Sequence, residues 1–320
     1  MLNRRFLRIK VMQALYAFFQ SENERVDLAE KQLIQSIEKL YELFIYQLSL
    51  LIEIVDFTKI KVEEAKLKFL PSPDELNPNT RFIDNRLIKQ IAENINFQRK
   101  REEYRINWSD ESEMIRRFYL TIKESKEYLR LVNESEDTYD ADKEFIIKIF
   151  KKYILPSEPL QSLCAEKSIY WVDDFDTAGV MLLKFFKTID EESKQDFPFP
   201  VLFKDTTSGG KSEDKDFLLR LFQRTIIHNK DFEQIIADNA KNWEIERIAV
   251  MDIVLLKMAI CELIDFKSIP IKVTLNEYIE LAKMYSTPKS SIFINGLLDK
   301  LIGEFKSEGK IKKSGRGLME

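Results

Sequence analysis

The chain has 320 residues, 44% of them hydrophobic and 32% charged, with only 8 Gly and 9 Pro. That length holds one large or two ordinary domains, each able to bury a core, and the scarcity of Gly and Pro points to helices rather than a sandwich or barrel. A net charge of −4 excludes attraction of nucleic acid by the molecule as a whole, so any such contact has to come from a local basic patch.

In chain order, the first predicted helix is 4–20, where Val11, Ala14, Leu15 and Phe18 recur at three- and four-residue spacing. Met1-Leu-Asn-Arg-Arg5 leads straight into this amphipathic stretch rather than into a secretory leader, and the expected location is cytoplasmic. A long helix follows, with Ile37, Tyr41, Phe44, Leu48, Leu51 and Val55 along one seam. Core packing explains such a seam, and an oligomer contact is the alternative. Its apolar run from Leu43 to Phe57 is interrupted by Gln47, Glu53 and Asp56, so it is not a membrane span. Pro71, Pro73 and Pro78 then break the pattern. Two more helices are predicted around 83–98 and 110–131, the second with Ser109 as candidate N-cap. The acidic stretch from Glu134 to Asp142 reads as a solvated linker. A second linker, 190–213, contains Phe197, Phe199 and Phe203, placed to anchor it on a neighbouring surface.

An internal echo occurs at an offset of 72 residues: Asp142-Lys-Glu-Phe-Ile-Ile-Lys-Ile-Phe150 matches Asp214-Lys-Asp-Phe-Leu-Leu-Arg-Leu-Phe222, and Trp171 pairs with Trp243. A duplicated helical unit explains this, and shared amphipathic periodicity explains part of it. Ser208-Gly-Gly-Lys-Ser212 has Asp205 where a phosphate loop needs glycine, so it reads as linker. The one histidine, His228, removes His-based triads and histidine metal clusters. Cys164 and Cys261 stand far apart and read as small buried hydrophobes in a reducing compartment. The chain is therefore expected to be no enzyme, with no cofactor and no metal.

Helices are predicted over 216–227 and near 231–241, followed by an almost wholly apolar helix from Ile245 to Ile264 that suits the centre of a bundle. Asp252 and Lys257 are its polar exceptions, and an acid near a helix start is favoured by the dipole. Thr274-Leu-Asn-Glu277 fits a capping box, and Thr287-Pro288 fits the opening of a last helix. Asn295-Gly296 falls within the helical spacing of Phe293, Leu297, Leu301 and Phe305, with Gly296 expected at a close helix contact.

The ordered set Asn276-Glu277, Glu280-Leu-Ala-Lys283 and Phe293-Ile-Asn-Gly-Leu-Leu-Asp299 resembles the NusB family of transcription antitermination factors over roughly 214–305. The opening Arg4-Arg5, Arg8 and Gln13-Ala-Leu-Tyr16 resembles that family's arginine-rich first helix. The fold so implied is all-α: a NusB-like helical bundle with a large additional helical region inserted after the first helix. Its parts are 1–20, an insertion 21–189, the linker 190–213, the bundle 214–305 and a basic flexible tail 306–320.

The resemblance implies an RNA-binding adaptor acting on boxA-type elements of ribosomal RNA leaders, with a small-subunit ribosomal protein in the NusE role and the RNA polymerase elongation complex. The residues it implicates in RNA binding are Arg4, Arg5, Arg8, Lys289, Ser290 and Phe293, of which Phe293 fits the core equally well. Where the family often carries an acid, this chain has Lys289-Ser290. Tyr16, Glu246 and Asp252 match positions facing the ribosomal partner. A helical protein–protein adaptor without RNA binding is the alternative. The central expectation is one cationic strip joining the amino-terminal arginines to the start of the last helix.

Overall fold

A computed structural model describes residues 3–21, 25–133, 136–203, 212–240 and 248–318. It is all-α, with no strand among the described residues. In chain order the helices are α1 (Arg4–Gln20), α2 (Val26–Lys66), α3 (Pro73–Leu76), α4 (Arg86–Glu93), α5 (Ile95–Glu103), α6 (Ser112–Lys123), α7 (Lys126–Asn133) and α8 (Tyr139–Ile149). They continue as α9 (Glu158–Lys167), α10 (Phe175–Thr188), α11 (Glu213–Ile227), α12 (Asn229–Asn239), α13 (Val250–Asp265), α14 (Ile271–Tyr285) and α15 (Ser290–Ser307). Two compact units result, one of Met1–Ser36 with Leu202–Glu320, the other of Ile37–Val201. The second unit interrupts the first in sequence, with bounds that differ from the expected 21–189. None of the described helices is long and apolar enough to cross a membrane.

In the first unit α13 is the central helix, packed against α1, α11, α12, α14 and α15. Its residues from Val254 to Leu263 are buried on every side, which is why its sequence lacks an amphipathic period. Each of its aliphatic side chains contributes roughly 1.5–3 kcal/mol of transfer free energy. Cys261 lies in this core, and burial pushes its thiol up to about 12. Gly309, at φ +68°, closes α15, and the Lys310 amide donates to the Phe305 carbonyl at 2.9 Å. That left-handed residue is where a glycine is needed.

Two helix starts and one glycine differ from the sequence reading. α14 begins at Ile271, directly after Pro270, so Thr274 is helical rather than a cap. Its hydroxyl instead donates to Glu262 at 2.8 Å, a buried carboxylate that competes better than a helix end would. α15 begins at Ser290 rather than Thr287, and Thr287 accepts the Ser290 amide in the preceding turn at 2.9 Å. A Cβ on Gly296 would meet nothing within 4 Å, so no close helix contact requires that glycine.

In the second unit the seam of α2 is core: Ile37, Phe44, Leu48 and Leu51 are buried, with Tyr46 stacked on Trp108 at 4.1 Å. Phe197 and Phe199 anchor the following segment against Phe185, at 6.0 and 4.7 Å. The helix expected over 83–98 is two, because the Asn94 side chain accepts the Asn96 and Phe97 amides and restarts the chain as α5. The helix expected over 110–131 likewise divides at Ser125, whose hydroxyl accepts the Tyr128 amide. Ser109 does not cap it; the Asn107 side chain accepts the Ser109 amide at 2.8 Å. Nor is 139–142 linker. Thr138 caps α8, and Asp142 is buried, accepting from the Arg86 Nε at 3.0 Å.

The echo extends to structure. Shifted by 72 residues, α8 with its π-helical continuation Phe150–Ile154, then α9 and α10, overlay the ranges of α11, α12 and α13. Asn85 caps α4 and Asn3 caps α1. The next residue in each case is an arginine paired with the echoing aspartate: Arg86 with Asp142, and Arg4 with Asp214 at 3.5 Å. A matched ion pair goes beyond shared periodicity and favours duplication. Trp243 lies outside the described residues.

Candidate nucleic-acid interface

Asn3 starts α1 by accepting the Phe6 amide at 2.7 Å. Helical spacing puts Arg4 and Arg8 one turn apart, where each guanidinium sits 5.2 Å from the Phe217 ring centre of α11. Arg8 points inward. At 2% exposure it makes two 2.8 Å hydrogen bonds to Glu262, itself fully buried in α13. Thr274 and Tyr278 of α14 donate to the same carboxylate at 2.8 and 3.3 Å. Burial alone disfavours the Arg8 charge, and the Glu262 carboxylate overrides it, leaving the guanidinium more basic than usual. Burial beside that carboxylate raises Tyr278 well above its ordinary value, so its hydroxyl stays a donor.

Arg4 and Arg5 remain partly open. Arg4 meets Glu213 at 2.5 Å and Asp214 at 3.5 Å; Arg5 makes a bidentate pair with Glu277 at 2.9 Å and is 41% exposed. Together with Asn3, Arg8, Ile269, Pro270 and Arg316 they line an open cavity of about 570 Å³. The amino-terminal arginines are thus a charge-balanced network and not bare cations.

At the other end of α13 lies a second cluster. Asp252, 4% exposed, accepts the hydroxyls of Ser286 at 2.5 Å and Ser290 at 2.7 Å. Ser290 also contacts the Thr287 hydroxyl at 2.7 Å. This carboxylate ties the start of α13 to the turn between α14 and α15. Asp252 and Glu262 are ten residues apart on one helix, about 15 Å at 1.5 Å per residue.

These positions correct several expectations. Arg8 is a buried structural pair, because Glu262 needs a cation where water cannot reach. Ser290 and Phe293 are buried, Ser290 against Asp252 of α13 and Phe293 in the core at 5% exposure. Asp252 is occupied by serine hydroxyls, so it offers no open acidic face. Lys289 is exposed, as is Tyr16 at 39%; Glu246 lies outside the described residues. The single strip is two clusters at opposite ends of α13, joined along α14, which is flanked by Pro270 beside the first and Ser286 beside the second. The basic tail is no free end either: Lys313 donates to the Glu262 and Phe266 carbonyls at 3.3 and 3.0 Å. Glu262 carries no site role in the sequence reading, and Arg316 figures there only as part of the basic flexible tail. An acid in the midst of the apolar run Met258 to Ile264 was the available signal for Glu262, since a buried carboxylate demands a partner.

A family model described as the NusB family matches residues 181–303. A transcription antitermination protein NusB of Chloroherpeton thalassium is 45% identical over 106 residues, covering 33% of this chain and 50% of that protein. The protein of the same name from Salinibacter ruber is 44% identical over 105 residues, covering 33% and 66%. That of Thermodesulfovibrio yellowstonii is 41% identical over 93 residues, covering 29% and 62%. The chain thus spans half to 66% of the length of these curated relatives. No solved structure matches it. The chain carries a NusB-family domain over residues 181–303, with an extra helical region on its N-terminal side.

Proposed function

We propose that this chain is a transcription antitermination factor that works by assembly, holding single-stranded, boxA-type leader RNA of ribosomal operons while docking a small-subunit ribosomal protein on the RNA polymerase elongation complex. The observation that carries the reading is the 41–45% identity to proteins named for antitermination, beside a family match over 181–303 that takes in α11 to α14 and most of α15. Arg4, Arg5 and Lys289 are the proposed RNA contacts from the sequence set, with Arg8, Ser290 and Phe293 supporting them from within. Guanidiniums suit this task because they meet phosphates bidentately and stack on unpaired bases. Tyr16 is the proposed partner contact on the exposed side of α1, together with Glu246, and Asp252 holds the adjoining turn. No step requires bond chemistry.

The charge balance of the arginine network favours the second reading, a helical adaptor without RNA binding. One experiment separates the two. The full chain is titrated into fluorescent leader RNA with and without the ribosomal protein, beside an Arg4→Ala/Arg5→Ala variant, and terminator read-through is measured in parallel. The proposal expects RNA binding that tightens with the ribosomal protein and weakens in the variant. Equal read-through stimulation by chain and variant, with no RNA retained by either, supports the adaptor and overturns the RNA reading.

A further inference from the structure

We infer that the carboxy-terminal segment 309–318 is a docked strap that seats Arg316 in the arginine cavity, where its guanidinium engages an RNA phosphate. The inference rests on the RNA reading above and adds a residue and an element to it.

Four contacts hold the strap. Gly309 turns the chain out of α15 in the left-handed region. Lys313 reaches the carbonyls of Glu262 and Phe266 at the carboxy-terminal end of α13, where a helix needs donors. The Ser314 amide donates to the Lys267 carbonyl at 2.9 Å. Gly317 is buried so closely that a Cβ would stand 1.9 Å from the Lys267 oxygen. Gly315, at φ +56°, supplies the second backbone shape that other residues resist. Arg316 lies between these two glycines, so its position is set by the backbone on both sides.

What Arg316 does there follows from its neighbours. Arg4, Arg5 and Arg8 each answer a carboxylate. Arg316 lines the same cavity, is exposed, and has no carboxylate partner among the described residues. An anion entering the cavity displaces nothing from Arg316, whereas it has to compete with Glu213, Asp214 and Glu277 for the others. Arg316 is therefore the first cation a phosphate meets. Burial lowers Lys313 to about 8, with Glu262 opposing the shift; the strap keeps this lysine beside the α13 carbonyls against that cost.

The test is fluorescence anisotropy of the full chain with a short single-stranded RNA across about 50–200 mM salt, for wild type, Arg316→Ala, Gly317→Val and the double variant. One single-strand phosphate contact is worth a log–log slope of about 0.7, or about fivefold in affinity at 0.1 M salt. We expect Arg316→Ala to lose about that much, Gly317→Val to match it by undocking the strap, and the double variant to lose no more than either. Arg316→Ala removes only an exposed side chain, so it decides the matter even if Gly317→Val unfolds. Full affinity in Arg316→Ala overturns this inference alone. Full affinity in Gly317→Val with loss in Arg316→Ala, or additive losses in the double variant, overturns the docked strap. A wild-type chain that binds no single-stranded RNA overturns the RNA reading and the inference with it.

Discussion

Replacing Arg8 by Met tests whether the second arginine turn is structure or interface. The substitution leaves Glu262 fully buried, with only the Thr274 and Tyr278 hydroxyls to satisfy it. Removing one partner of a buried pair costs about 3–5 kcal/mol, because the remaining charge stays out of water. For a folding unit of this size that corresponds to a fall in Tm of roughly 6–20 °C. Glu262→Gln alone strands the Arg8 charge, whose next carboxylate is Glu277 at 3.8 Å. The double variant R8M/E262Q keeps an acceptor for both hydroxyls, so its loss falls short of the sum, with a coupling on the order of 2–3 kcal/mol. Arg5→Met, at the more open pair with Glu277, costs at most about 1 kcal/mol. Urea unfolding followed by far-ultraviolet circular dichroism gives all four values. An R8M protein within about 1 kcal/mol of wild type that has nonetheless lost RNA binding would refute the assignment of Arg8 to the core.

Asp252→Ala leaves the Ser286 and Ser290 hydroxyls without their shared acceptor and should cost about 2–4 kcal/mol in thermal melts; an unchanged melt with lost ribosomal-protein binding would make Asp252 a docking residue instead. Lys313 is lowered to about 8 from an ordinary 10.5, so between those values the released or unfolded chain holds more protons than the docked one. Strap docking and stability should therefore rise with pH from about 8 towards 10.5, and stay at their lower level below 8. Melts of wild type against Lys313→Met across that range should diverge in favour of wild type, and a constant difference contradicts the assignment. Lys289→Ala should lower RNA affinity evenly across sequences and reduce the salt slope by about 0.7, as read by anisotropy; a change of sequence preference would point to base contact.

Much of the architecture was legible from spacing alone. α1, α2 and α11 follow from apolar residues at three- and four-residue intervals, and α13 from the lack of any polar face. The capping motifs misled because local signatures compete with tertiary demands: the Thr274 hydroxyl serves Glu262 and not a helix end. The site was legible as a region and not residue by residue. Arg4, Arg5 and Arg8 look alike in sequence, yet one is buried and two are partly open. Their difference depends on a carboxylate 254 residues away in the chain, which no window along the sequence displays. Asp142 teaches the same point, since an acid in a polar stretch became a buried ligand of Arg86 once α4 lay beside α8.

The most direct measurement is the salt dependence of RNA binding by the full chain. Arg316 and Lys289, exposed and without carboxylate partners among the described residues, should give a log–log slope near −1.4 at about 0.7 per contact. Recruiting Arg4 and Arg5 away from their carboxylates would steepen it towards about −3. Binding with a slope in this range, shallower in Arg316→Ala, is the predicted result. Undetectable binding at low salt, or affinity indifferent to salt, contradicts the account.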